Sequence, residues 1–171
     1  MTNNIYLETN SGLIEYLNSN YTSDTLFIID SNLSDINIDE KVNARVSYFE
    51  IKEDTKNLAS VEKIWDLLFE QNLNRSSEIV IIGGGVLLDV CAFASSTFKR
   101  GISFSFVPST LLSMVDASHG GKNGFNNTYG KNQIGTFTLP ERVIICYELL
   151  DTLHIDNYKD GLIELIKHGM I

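Results

Sequence analysis

Cationic side chains are scarce in this sequence. Thirteen Lys and Arg stand against 22 Asp and Glu, a formal net charge of −9. That balance excludes a broad nucleic-acid or anionic-membrane surface, which would need a basic footprint, but leaves room for a local cationic pocket. Only two cysteines occur, Cys91 and Cys146, both in apolar surroundings; they are expected to be buried free thiols. No apolar run is long enough to span a bilayer. The start, MTNNIYLETN, lacks the basic residues and apolar stretch of a secretory signal, so a cytoplasmic protein is expected. HxxxH and CxxC pairs are missing, as is a GxGxxG fingerprint, and no internal repeat, low-complexity tract or linker interrupts the chain.

What is present suits one domain of ordinary size: 171 residues, 43% of them hydrophobic. Short apolar runs predict strands at Thr25–Asp30, Arg45–Ile51, Glu78–Gly85, Ile102–Val107 (closed by Pro108) and Arg142–Glu148. Residues 57–71 read as a helix with Leu58, Val61, Trp65, Leu68 and Phe69 on one face. Val86–Phe98 reads as another, and HIDNYKDGLIELIKHGMI as an amphipathic helix at the end. Strands interleaved with helices predict an α/β layer structure with a mainly parallel sheet.

Chemistry is expected at four places. Gly83, Gly84 and Gly85 end a strand and open a helix, where bare backbone and a positive dipole end suit a pyrophosphate; a tight structural turn is the alternative. Asp30 and Asn32 stand at the carboxyl edge of the first apolar strand, placed either for ribose hydroxyls or for a turn. Glu53 and Lys56 lie just ahead of a helix and read by themselves as a solvated pair. The run VDASHGGKNGFNNTYGKN is expected to be a non-periodic loop, with Lys122 and Lys131 each beside a glycine, which suits a multiply charged phosphate or carboxylate; a solvated loop is the alternative. Asp116, near the end of a short helix, gains nothing from the dipole and needs another partner. On the last helix Glu164, Lys167 and His168 share one face, and Glu164 with His168 suits either a metal or an exposed polar pair. His119 and His154 stand isolated.

From about Asp30 to Ile171, four segments stand at the spacing of 3-dehydroquinate synthase, one of the sugar phosphate cyclases: GGGVLLDVCAFASSTFKRG, VPSTLLSMVDASHGGKNG, YGKNQIGTF and GLIELIKHGMI. The sequence resembles the NAD-binding half of that family. The resemblance implies a Rossmann-like domain over residues 1–154, with residues 155–171 opening a helical domain. It implies a carbon–oxygen lyase of the shikimate pathway that needs NAD and a divalent metal, zinc or cobalt. Such an enzyme cyclises a heptulosonate phosphate with phosphate elimination and works as a homodimer. By resemblance, Gly83, Gly84, Gly85 and Asp89 hold the pyrophosphate, and Asp30, Asn32, Glu53 and Lys56 the nucleoside part. Ser109, Thr110, Leu112, Lys131, Leu149, Thr152 and Leu153 line the NAD site. Asp116 holds cofactor and substrate hydroxyl, Lys122 and Asn132 hold the substrate phosphate, and Lys167 holds a substrate hydroxyl. Arg100 reaches the neighbouring subunit's phosphate, and Glu164 binds the metal.

Some positions depart from the family pattern. Leu88 replaces a glycine and is expected to crowd the phosphate loop. Ser109 replaces a threonine, His119 a small aliphatic residue, Asn123 a threonine or alanine, and His154 a proline; a related sugar phosphate is the alternative substrate. An iron-dependent alcohol dehydrogenase relative would lack the lysines of the loop, and an inactive binding protein would not need Asp116, Lys122 and Glu164 together. The chain reads as the first half of a longer protein, so these 171 residues are expected to bind NAD weakly and not to turn over.

Overall fold

The computed structural model describes residues 2–36, 38 and 45–170. Six strands form one parallel sheet: β1 (Asn3–Leu7), β2 (Thr25–Asp30), β3 (Arg45–Phe49), β4 (Glu78–Gly83), β5 (Ser103–Pro108) and, last in the chain, β8 (Arg142–Cys146). Their order is β1-β8-β5-β4-β2-β3, and every pairing is parallel. The sheet is thus the α/β, Rossmann-like arrangement expected from sequence.

The near-continuous apolar strands follow from burial on both faces. Along β2, Leu26 and Ile28 face one core, while Phe27 and Ile29 face the other. Ile79 and Ile81 alternate with Val80 and Ile82 in the same way along β4. Helices α2 (Leu58–Glu70) and α3 (Gly85–Thr97) cover the first face, and α1 (Asn10–Asn20) covers the second through Leu13 and Leu17. Cys91 and Cys146 are free and buried, as expected. Among the described residues no helix is long and apolar enough to cross a membrane.

Several expectations need correction. The buried stripe of α2 is Val61, Ile64 and Leu68; Leu58 and Phe69 are exposed. Phe69 packs edge-on against Phe98. β1 and α1 had no reading in the sequence: β1 is a short, partly exposed edge strand, and α1 begins at Thr9, whose hydroxyl accepts from Gly12 N. The stretch after Asp116 is no loop. It forms an antiparallel hairpin of β6 (Lys122–Asn127) and β7 (Gly130–Phe137). Gly124 and Gly135 sit opposite one another there, and a Cβ on either would come within 2.4 Å of a backbone oxygen. The glycines that look like loop residues are therefore what lets the two strands close up. Asn127 accepts from Tyr129 N and Gly130 N and turns the tip.

Candidate functional site

The chain leaves β2 toward β3 and leaves β4 toward β5, in opposite directions along the sheet. Between neighbouring strands that diverge like this, a crevice opens beyond the carboxyl ends. It is here a cleft of about 290 Å³ lined by Asp30, Ile51, Gly84, Gly85, Thr110 and Leu112, among others. Gly84 is the N-cap of α3 and no side chain caps it, so the positive end of that helix faces the cleft. A Cβ at Gly84 or Gly85 would find no atom closer than 3.4 Å. The fold alone does not demand glycine at these two positions, whereas a pyrophosphate lying on the backbone would. Asp30 Oδ1 accepts from Asn32 N and Nδ2, which turns the chain after β2 and holds the carboxylate at the rim.

A second cleft, about 440 Å³, lies between the hairpin and α3. Asp89, Asp116, Lys122, Asn123 and Asn132 are among its lining. The two clefts meet where Gly85 faces Ala117, 3.5 Å from the position of a Cβ. Asp116 is carried by a π-turn, Ser113–Ala117, closed by Ser118 N donating to Ser113 O. Lys122 has no ion-pair partner among the described residues, and it lines this cleft together with Asp89 and Asp116.

The partner that Asp116 needed is on α4 (Ile155–Met170): His168 Nε2 lies 3.6 Å from Asp116 Oδ1 and 3.3 Å from Glu164 Oε1. Ligand atoms of Asp116, Glu164 and His168 all fall within 4.8 Å of one another. Two carboxylates and an imidazole fit a zinc- or cobalt-type cation. Lys167 binds Glu164 at 3.0 Å. The arrangement depends on Gly161, where a Cβ would meet Leu111 Cβ at 2.6 Å and Leu112 N at 2.7 Å. This close crossing of α4 over the segment after β5 was not read from the sequence.

Lys56 is not the solvated residue expected from its neighbours. It is 3% exposed, donating to Asp89 Oδ2 at 2.6 Å and to Asn132 Oδ1 at 2.7 Å. Burial pushes the Asp89 carboxyl above its ordinary range, and the Lys56 ammonium offsets this only in part. Glu53 pairs with Lys131 at 3.1 Å. Burial is the largest single influence on its carboxyl and acts upward, but hydrogen bonds from Asn126 and Lys131 and the charges of Lys56 and Lys131 together outweigh it, so the net shift is downward. Asn126, which the sequence did not single out, joins the two sides: its amide donates to Lys56 O and its side chain to Glu53 Oε1.

Other expected residues lie apart. Arg100 is exposed on the turn after α3, at φ 70°, and lines neither cleft. Leu149 is buried in the core on the α1 side, and Thr152 and Leu153 follow it without reaching either cleft. Ser109 is buried, its amide on Gly83 O. Leu88 does not crowd the glycine turn; its side chain is fully buried between α3 and the sheet. His119 turns its Nε2 to Met114 O rather than into the cleft. Asn123 staples the hairpin base, donating to Gly121 O and Thr138 O. His154 Nδ1 accepts from Asp156 N and caps α4 where a proline was the family expectation.

The family model for the 3-dehydroquinate synthase N-terminal region matches residues 47–160. The 3-dehydroquinate synthase of Pelagibacter ubique is 40% identical over 175 residues, covering 99% of this chain and 47% of the relative. That of a Picosynechococcus species is 50% identical over 119 residues, 70% of this chain and 33% of the relative. The chain spans less than half the length of these two curated relatives. A solved 2-deoxy-scyllo-inosose synthase, complexed with carbaglucose-6-phosphate, NAD+ and Co2+, matches with a TM-score of 0.84 at 27% identity, over 97% of this chain and 47% of that one.

Proposed function

We propose that this chain, which belongs to the 3-dehydroquinate synthase family, is the cofactor- and phosphate-holding half of an enzyme that cyclises a heptulosonate phosphate with loss of phosphate. The observation that carries the reading is the meeting of two clefts at Gly85 and Ala117. One offers a helix N-terminus and open glycines; the other offers Lys122, which is in no ion pair among the described residues. A dinucleotide in the first would run its reactive end toward an anionic sugar in the second.

When bound, NAD supplies reversible hydride transfer and a divalent cation polarises the oxygen beside the reacting carbon. The chain's own residues bind and orient. The amides of the Gly83–Gly85 turn hold the pyrophosphate, and Asp30 accepts from ribose hydroxyls. Lys122 and Asn132 donate to the sugar's phosphate, fixing the leaving group. Asp116 and Lys167 hold ring hydroxyls. Glu164, with Asp116 and His168 in reach, would hold zinc or cobalt. We place the working form as a cytoplasmic homodimer in which Arg100 serves the partner's phosphate, with residues 155–171 belonging to the second, helical domain.

Gly84→Ala tests the cradle. The added methyl fits the fold, so the melting temperature should stay within a degree or two of the parent's, while NAD+ affinity should fall by about tenfold or more, since the methyl would occupy the ligand's approach. Unchanged NAD+ affinity would remove the dinucleotide from this cleft. The 171 residues alone are expected to bind NAD+ weakly and to release no phosphate from the heptulosonate; sustained release by them would overturn the division of labour proposed here.

A further inference from the structure

We propose that Lys56 is a positioning residue that sets which end of the Asn132 carboxamide meets an anion in the hairpin cleft. An ammonium has donors and no acceptor, so the group bonded to it at 2.7 Å must be the Asn132 oxygen. The Asn132 NH2 is then left for the cleft that this residue lines. Without that constraint a carboxamide could present either end, and the oxygen would repel a phosphate.

The surroundings hold this orientation in place. Lys56 is 3% exposed, and its charge is matched by Asp89 at 2.6 Å. Its ammonium is thus engaged by two neighbouring side chains, Asp89 and Asn132. Its carbonyl accepts from Asn126 N at 2.8 Å, and Asn126 Oδ1 accepts from Asn132 N at 2.9 Å. Asn132 itself sits at φ 53°, a left-handed conformation that asparagine tolerates better than most residues. Backbone and side chain of Asn132 are thus both tied to the segment ahead of α2, and the donor end faces the space shared with Lys122. The inference rests on the reading of that cleft as the phosphate site given above.

The test uses the isotope-labelled full chain, with inorganic phosphate as probe and the Asn132 side-chain NH2 resonances as readout, alongside NAD+ titration. In the parent, phosphate should shift the Asn132 NH2 signals saturably. Lys56→Met should weaken phosphate binding at least about tenfold and abolish the Asn132 response. Asn132→Asp keeps an acceptor for Lys56, so its melting temperature should hold, yet phosphate binding should fall at least as far; this variant carries the test if Lys56→Met does not fold. Equal phosphate binding by the parent and Lys56→Met overturns the inference alone, as does Asn132→Asp with parental affinity. Loss of NAD+ affinity in Lys56→Met with phosphate binding intact overturns it in favour of direct cofactor contact. A parent whose Asn132 signals ignore phosphate sinks the reading of the cleft and this inference with it.

Discussion

At the scale of single residues, the outcome turns on where charge is placed. Asp89 and Lys56 form a pair in which the lysine is almost wholly enclosed. Removing one member strands the other's charge away from water, which costs several times more than the pair contributes when intact. Asp89→Ala should therefore destabilise the fold by about 3 kcal/mol, measured by chemical denaturation. The two acids near the hairpin should also respond to pH in opposite senses. Glu53 is shifted down, so its contribution is present above the ordinary glutamate value and is lost as pH falls through the lowered one. Asp89 is shifted up, so its contribution is present below the unfolded aspartate value and fades as pH climbs through the raised one. Comparing the parent with Glu53→Gln by urea midpoint, the parent's advantage should appear at neutral pH and vanish below the ordinary glutamate range. An advantage that grew on acidification would contradict the direction assigned to Glu53.

At the scale of elements, two close approaches decide the geometry. α4 can bring Glu164 and His168 to Asp116 only because Gly161 lets it lie against Leu111 and the backbone of Leu112. Gly161→Val must push the helix outward; overpacking of this kind costs about 1–3 kcal/mol. Faster amide exchange along Ile155–Met170, with the sheet unaffected, should accompany that loss. The hairpin depends in the same way on Gly124 and Gly135. Gly135→Ala should part β6 from β7 and expose their amides, while the six-stranded sheet keeps its protection.

At the scale of the whole molecule, the parallel sheet serves as a rigid base and the site is assembled from what rises beyond its carboxyl edge. The turn after β4, the π-turn after β5, the hairpin and α4 each contribute one wall. A ligand that binds only this assembled edge stabilises the folded state by mass action. NAD+ at about one hundred times its dissociation constant should add about 2.7 kcal/mol, read as a rise in melting temperature. At the same NAD+ concentration Gly84→Ala should lose about half of that rise or more, while its unliganded melting temperature stays in place.

The sequence by itself determined the layered α/β plan, because strands buried on both faces must be apolar throughout and therefore announce themselves. It also marked the glycine turn, Asp116, Lys122 and Glu164, since residue types that serve packing poorly stand out against a core-forming background. It could not show that the glycine- and asparagine-rich run is a hairpin, because the alternation of a strand is invisible when its residues are glycines and amides. Nor could it show that Lys56 is enclosed or that His168 turns to Asp116. Those facts depend on partners at separations of 33, 76 and 52 residues along the chain. Only the tertiary structure decides which charges meet, because local spacing says nothing about contacts between distant segments.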